Sequence, residues 1–178
     1  IKVFVMEVNK ESKGAVVTLS RTHPGLVRRM FELEIPEIAD GVVIVKGVSR
    51  EAGSRSKVAV FSRDPDVDAV GACIGQRGVR VADIVEELGG EKIDIVEYSE
   101  DPATFIAAAL APAKVLKVDM DESGAKACRV TVPDAQLSLA IGNKGQNARL
   151  AVKLTGWKID IRPESGFYGE DDDTQDEE

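Results

Sequence analysis

The strongest constraint on the fold of this chain is a repeat of loop, helix and strand. Residues 74–78 read Ile-Gly-Gln-Arg-Gly, and residues 141–145 read Ile-Gly-Asn-Lys-Gly, 67 positions further along the chain. An amphipathic run of about ten residues follows each pentapeptide. The tetrapeptide Lys-Ile-Asp-Ile then begins 17 residues after the first glycine in one copy and 16 residues after it in the other. A repeat that keeps these parts in one order predicts a duplicated structural unit.

The segments before each loop extend the repeat to a complete fold prediction. In both copies the apolar pattern predicts helix, strand, strand, short helix, Gly-x-x-Gly loop, helix and strand. This order is typical of the α+β class, with helices covering a three-stranded sheet. We therefore predict one domain over residues 21–98 and a second over 99–162. Residues 1–20 predict a β-hairpin that is too small to be stable alone.

Several side-chain environments can be predicted from the same patterns. Residues 105–111 are nearly all small and apolar, which favours a helix packed between the two units. One helix is predicted over residues 26–34, and its expected buried residues are Leu26, Met30, Phe31 and Leu33. Four basic residues surround the first predicted pair of strands and are expected to be ordinary solvated charges: Arg50, Arg55, Lys57 and Arg63.

The net charge of −8 is concentrated at one end of the chain. Residues 163–178 contain eight acidic residues and no lysine or arginine, and without them the chain has 23 acidic and 23 basic residues. The body is therefore neutral, and a nucleic-acid site must come from local clusters of basic residues. The composition of the tail predicts disorder, with the alternatives of a solubilising end or an internal competitor for a basic RNA surface.

The apolar runs, the cysteines and the histidine exclude several kinds of protein. No apolar run is long enough to cross a membrane, and the opening Ile-Lys-Val carries no signal peptide, so we expect a fragment of a cytoplasmic protein. Cys73 and Cys128 are expected to be buried and reduced. With His23 as the one histidine and no cysteine pair, neither a metal site nor a cofactor is expected.

The Gly-x-x-Gly loops suit the binding of a phosphodiester backbone. Glycine lets another backbone approach closely, and a helix that begins after the turn offers free N–H groups and a partial positive charge. The middle residues supply a hydrogen-bond donor and a cation in each loop. Arg77 can contact a phosphate with its planar fork and Lys144 as a point charge. One such loop would be weak support, but two in equivalent positions favour RNA binding.

Each unit resembles a KH domain of type II, in which a Gly-x-x-Gly loop clamps the RNA backbone. This resemblance implies an apolar groove for the bases above the isoleucine that precedes each loop. The second unit has the larger polar and basic cluster, which predicts tighter binding by that unit. The residues expected to contact single-stranded RNA are Ile74, Gly75, Gln76, Arg77, Gly78, Arg80, Ile141, Gly142, Asn143, Lys144, Gly145, Gln146, Asn147, Arg149 and Lys153.

Residues 20–162 also resemble the tandem KH region of the NusA family of bacterial transcription elongation and termination factors. The motifs that carry this resemblance are Leu-Ser-Arg-Thr-His-Pro-Gly at 19–25, Arg-Glu-Ala-Gly at 50–53, Gly-Ala-Cys-Ile-Gly at 71–75, and the segments 90–95, 137–150 and 155–157. The resemblance implies that residues 1–20 are the last two strands of an OB-type RNA-binding barrel. It further implies binding of nascent RNA, action with RNA polymerase in pausing, termination and antitermination, and no catalysis. A monomer without membrane partners is expected.

Two other classes of function are alternatives to RNA binding. A nucleotide-using enzyme would need a Walker loop with Gly-Lys-Ser/Thr, which is absent, or a Rossmann loop directly after a strand, and residues 64–70 do not predict that strand. A scaffold that binds other proteins through the same units is compatible with the sequence as a second role.

Overall fold

A computed structural model describes residues 1–11, 13, 14 and 16–166 of this chain. The predictions for the acidic tail concern residues that lie almost entirely outside this range. None of the helices in the described part of the chain combines the length and the apolar character that crossing a membrane requires.

The chain begins with a two-stranded antiparallel hairpin. Its strands are β1 (Phe4–Asn9) and β2 (Val16–Ser20), and most of their side chains are exposed. The ring of Phe4 stacks on the ring of His23 with 4.6 Å between centroids. Arg21 also donates hydrogen bonds to the carbonyls of Lys2 and Glu87. These contacts attach the hairpin to the first repeated unit, while its role as the end of an OB-type barrel stays a prediction.

The two repeated units have the same order of elements. The first contains α1 (Pro24–Glu34), α2 (Pro36–Ala39), β3 (Val43–Glu51), β4 (Arg55–Ser62), α3 (Ala69–Ile74), α4 (Val79–Glu87) and β5 (Lys92–Glu97). The second contains α5 (Pro102–Ala109), β6 (Lys117–Met120), β7 (Ala127–Val132), α6 (Leu137–Ile141), α7 (Gln146–Thr155) and β8 (Lys158–Pro163). In each sheet the central strand pairs antiparallel with the preceding strand and parallel with the following one. The predicted α+β class with two mixed three-stranded sheets is confirmed.

Helix α1 packs on the first sheet through most of the residues that were predicted to be buried. Its start is capped by Nδ1 of His23, which accepts a hydrogen bond from the N–H of Gly25 at 2.9 Å. The prediction for Leu33 is wrong, because its side chain is 66% exposed. Leu33 lines open surface depressions at the last turn of α1, where no packed layer covers it. The buried residues of the helix are Leu26, Val27, Met30 and Phe31.

The first sheet is buried on both faces. Val58 and Val60 point to the helices of their own unit, whereas Ala59 and Val96 belong to the core of the second unit. Helix α5 supplies Ile106 to that same core, and Ile106 is completely buried. The predicted position of this apolar helix between the two units is therefore confirmed.

Two of the basic residues expected to be solvated are buried. The side chain of Arg50 is 4% exposed and pairs with Glu91 at 3.0 Å. Lys57 is fully buried, and its Nζ donates to Asp94 at 3.0 Å and to the carbonyl of Ala111 at 2.7 Å. Arg50 is buried by contacts within its own unit, with Glu91 and the carbonyl of His23. Lys57 is buried because the second unit covers its face of the sheet, which no local pattern around residue 57 could indicate. Burial lowers the pKa of Lys57, and the charge of Asp94 opposes that shift.

Both cysteines are buried and free, as predicted. Cys73 lies in α3 and Cys128 in β7, so each belongs to the core of a different unit. Burial raises the pKa of the Cys73 thiol to about 12. A thiol with so high a pKa is a poor nucleophile at neutral pH, which suits a packing role.

Candidate nucleic-acid interface

The two Gly-x-x-Gly loops adopt the same backbone conformation. The φ angles of the first glycine, the third residue and the last glycine are 74°, 55° and 73° in the first loop. The corresponding angles are 81°, 52° and 74° in the second loop. Each turn is closed by a hydrogen bond from the N–H of the last glycine to the carbonyl of the first, at 3.2 Å and 3.1 Å. The sequence repeat is thus a repeat of the loop structure itself.

At the first glycine of each loop, two features favour a residue without a side chain: the backbone conformation and the close approach of neighbouring atoms. Gly75 has ψ 177° and Gly142 has ψ 170°, so both lie in a region of positive φ that is essentially restricted to glycine. A Cβ atom on Gly142 would also lie 2.6 Å from the backbone nitrogen of Asn147. A Cβ on Gly75 would lie 2.7 Å from Cγ of Arg80, which is part of a flexible side chain.

The cation of each loop stands at its tip. Arg77 and Lys144 have positive φ although neither is glycine, and both are exposed. Their neighbours Gln76 and Asn143 are exposed as well. A left-handed conformation costs a side-chain-bearing residue about 1–2 kcal/mol, so the surrounding structure must hold these loops in place.

One residue supports each loop from the following helix. Nη1 of Arg80 donates to the carbonyl of Ala72 at 2.7 Å and to Glu37 at 2.8 Å. Asn147, at the equivalent position of the second loop, is 3% exposed and donates through Nδ2 to the carbonyls of Leu110 and Ala140.

The side chain of Asn147 is therefore buried rather than exposed at the surface, and its contact with RNA stays a prediction. Its amide holds the start of α7 against α6 and the end of α5. An amide at the first turn after the loop suggested a surface donor, but the fold turns this position inward. Within the described residues, its Oδ1 atom is buried without a hydrogen-bond partner.

Two further predicted contacts, Gln146 and Arg149, are engaged with the first unit. Nε2 of Gln146 donates to Glu51 and to Oγ of Ser54, both at 2.7 Å. Nε of Arg149 donates to the other oxygen of Glu51 at 2.5 Å. Hydrogen bonds from Arg149 and Gln146 lower the pKa of Glu51 to about 2. This contact could not be predicted from local patterns, because Glu51 is 95 residues or more from its partners.

The remaining predicted residues lie around the loops. Ile74 is 39% exposed at the end of α3, and Ile141 is partly buried at the equivalent end of α6. Lys153 is exposed two turns along α7 from the loop, close enough to contribute to the lowered pKa of Glu51. Their contacts with bases or phosphates stay predictions.

A crevice of about 350 Å³ lies beside the second loop, between the two units. The first unit contributes Arg55 and Lys92 to its lining, and the second contributes Asn143 and Gln146. Arg55 and Lys92 were not predicted as site residues. They are remote from the second loop in sequence, and only the packing of the two units brings them to it.

Comparisons with known proteins match both repeated units. A family model for the NusA-like first KH domain matches residues 21–98, and one for the NusA-like second KH domain matches residues 102–168. The crystal structure of APE1850 is 26% identical, with a TM-score of 0.56, and the match covers 76% of this chain and 95% of that one.

Relatives with curated names share much of this sequence. The transcription termination/antitermination protein NusA of Bacillus subtilis is 61% identical over 165 residues, which are 93% of this chain and 44% of that protein. The protein of the same name from Mycobacterium tuberculosis H37Rv is 57% identical over 162 residues, which are 91% of this chain and 47% of that protein. This chain therefore spans less than half the length of these relatives.

Proposed function

Because this chain belongs to the NusA family through its two KH domains, we propose that it binds single-stranded RNA with both Gly-x-x-Gly loops. The observation that carries the proposal is the common backbone of the two loops, each with an exposed cation at its tip. Loops that differ in sequence at both middle positions still share one strained conformation. Such agreement is expected when the shape of the loop itself is used for binding.

The chemistry of each loop suits a phosphate of the RNA backbone. The glycines leave room for a phosphate against the main chain, and the helix that follows directs its first N–H groups toward the loop. Arg77 contacts the phosphate through two N–H groups, and Lys144 contacts it as a point charge. Bases then lie on the apolar surface at Ile74 in the first domain and at Ile141 in the second.

The crevice between the domains extends the proposed RNA surface from the second loop onto the first domain. Arg55 and Lys92 of the first domain stand on one side of this crevice and the second loop on the other. An RNA strand held at the second loop would pass these two cations of the first domain, of which Arg55 also pairs with Asp94 at 2.8 Å. We therefore infer one continuous RNA surface rather than two independent sites.

We also propose the biological setting of this binding. The curated relatives are named as transcription termination/antitermination proteins. A domain pair that holds single-stranded RNA would serve that process by binding the nascent transcript, with RNA polymerase as a partner of the larger protein.

The proposal is tested by reversing both loop cations. The double variant Arg77→Asp with Lys144→Asp places an aspartate, which tolerates the left-handed region better than most residues, at each loop tip. Binding of a fluorescein-labelled random single-stranded RNA pool is measured by anisotropy at fixed salt. We expect affinity to fall at least about 100-fold, since two phosphate contacts become repulsive.

The matched control carries the same change of charge elsewhere. Lys117→Asp with Lys126→Asp alters two exposed lysines of the second domain that lie outside the proposed surface. We expect only the small loss that a change in net charge produces. Equal losses in the two double variants, or an unchanged affinity in the loop variant, would refute binding by the loops.

A further inference from the structure

Hydrogen bonds through Arg149 and Gln146 connect the first domain to the second loop and to the start of the helix that follows it. Glu51, the last residue of β3, accepts from Nε of Arg149 at 2.5 Å and from Nε2 of Gln146 at 2.7 Å. Nη1 of Arg149 donates to the carbonyl of Lys144 at 3.0 Å. One guanidinium group therefore contacts the carboxylate of one domain and the strained loop residue of the other.

Among the residues that the structure describes, the first loop has no counterpart of this arrangement. Valine and alanine, at positions 79 and 82, stand where the second loop has Gln146 and Arg149. The polar support of the first loop comes from Arg80, which contacts Ala72 and Glu37 of its own domain. The second loop is thus the one whose backbone contact depends on a residue of the other domain.

We propose that Glu51 is a positioning residue for RNA binding: by holding Arg149 against the carbonyl of Lys144, the first KH domain sets the conformation of the second loop. This inference rests on the proposed function. Arg149 needs a partner for this task because its side chain is 45% exposed and would otherwise adopt many rotamers. The Glu51 side chain, which is 23% exposed, directs the guanidinium toward the loop.

The sign of the effect separates positioning from simple electrostatics. Glu51 is an anion beside a surface that is proposed to bind phosphates. Its removal would raise RNA affinity if charge alone mattered. A positioning role predicts the opposite, namely that affinity falls when the negative charge is removed.

The experiment compares Glu51→Ala and Glu51→Gln with Glu122→Gln, which makes the same change of charge at an exposed turn of the second domain. Affinity for the labelled random RNA pool is measured by anisotropy at fixed salt. We expect about a fivefold loss for Glu51→Ala, a smaller loss for the isosteric Glu51→Gln, and no loss for Glu122→Gln. Thermal unfolding of each variant confirms that it is folded.

A second measurement reports the conformation of the second loop in the absence of RNA. In ¹H–¹⁵N spectra of the free chain, Glu51→Ala is expected to shift or broaden the amide signals of Lys144 and Gly145. The amide signals of Arg77 and Gly78 are expected to stay in place, since the first loop is supported within its own domain. This contrast is not expected of a substitution that only lowers overall stability.

The outcomes distinguish this inference from the proposed function. If the unmodified chain binds RNA and the Glu51 variants bind it equally well or better, the positioning role is wrong and RNA binding stands. Unchanged amide signals in the second loop also overturn the positioning role. If the unmodified chain does not bind single-stranded RNA, the proposed function fails and this inference fails with it.

Discussion

The two KH domains place an aspartate at the same position of their last strand, but in opposite environments. Asp94 of β5 lies opposite Lys57 of β4, and Asp160 of β8 lies opposite Arg129 of β7. The Lys57 side chain is completely buried and that of Asp94 is 14% exposed. In the second domain the side chains of Arg129 and Asp160 are 64% and 45% exposed.

The two aspartates differ in burial because the outer face of the first sheet is covered, whereas that of the second sheet is not covered by the described part of the chain. Helix α5 and its following turn cover the outer face of the first sheet, where the carbonyl of Ala111 accepts a hydrogen bond from Lys57. The outer face of the second sheet carries exposed charges, with Arg162 joining Arg129 at the carboxylate of Asp160. Two copies of one fold therefore use the same residue pattern for a buried interdomain contact in one case and a solvated surface in the other.

A similar asymmetry exists at the two Gly-x-x-Gly loops. The first loop is held by Arg80 within its own domain, while the second is held by Asn147 from inside and by Glu51 across the domain boundary. The larger polar cluster of the second loop predicted tighter RNA binding by that domain. Much of that cluster is engaged in holding the two domains together, so its size does not measure the strength of RNA binding.

The largest expected difference between the domains is in the free energy of unfolding lost when the cation of each ion pair is replaced. Lys57→Met keeps most of the side-chain volume, but it leaves the partly buried carboxylate of Asp94 with Arg55 alone and the Ala111 carbonyl without its donor. We expect the free energy of unfolding to fall by about 3 kcal/mol. Arg129→Met removes the equivalent exposed pair and is expected to cost less than about 1 kcal/mol. Urea denaturation followed by circular dichroism measures both values.

A loss of similar size in the two variants would show that the outer faces are equally solvated. That result would contradict the burial of Lys57 and the packing of α5 between the domains.

A smaller difference is expected at the first glycine of each loop. Gly75→Ala and Gly142→Ala each force alanine into a region of positive φ, at a cost of about 1–3 kcal/mol. In Gly142→Ala the new Cβ also meets backbone atoms of α7, which cannot move aside, whereas the Arg80 side chain can yield to Gly75→Ala. Thermal unfolding should therefore show a larger decrease in Tm for Gly142→Ala. An equal decrease in both would mean that α7 relaxes as easily as a side chain.

The smallest expected effect is a loss of stability at acid pH, which arises from the protonation of Glu51. Its pKa is about 2 in the folded chain, below the ordinary value of 4.5. The contact with Arg149 and Gln146 therefore stabilises the fold fully above pH 4.5, and this contribution is lost as the pH falls toward 2. In urea denaturation, Glu51→Gln should be less stable than the unmodified chain at neutral pH, and the difference should shrink over this range. A difference that is independent of pH would show that ionised Glu51 does not stabilise the fold.

Much of the fold could be predicted because its signals are local or repeated. The Gly-x-x-Gly motif, the amphipathic runs and the β-branched segments predicted two α+β units, and the resemblance to the NusA family is confirmed. The uniform apolar character of α5 predicted its interdomain position. The environments predicted for Leu33 and Lys57 were wrong, because their exposure depends on neighbours that are distant in the sequence.

The sequence by itself determined the duplicated unit, the place of both loops and the glycines that allow their backbone, since each depends on residues a few positions apart. Only the tertiary structure decided which charges are buried, which polar side chains near the second loop support it, and that Glu51 reaches across to Arg149. The physical reason is that burial and ion pairing depend on what lies within a few ångströms, and docking of the second domain on the first sheet supplies those neighbours.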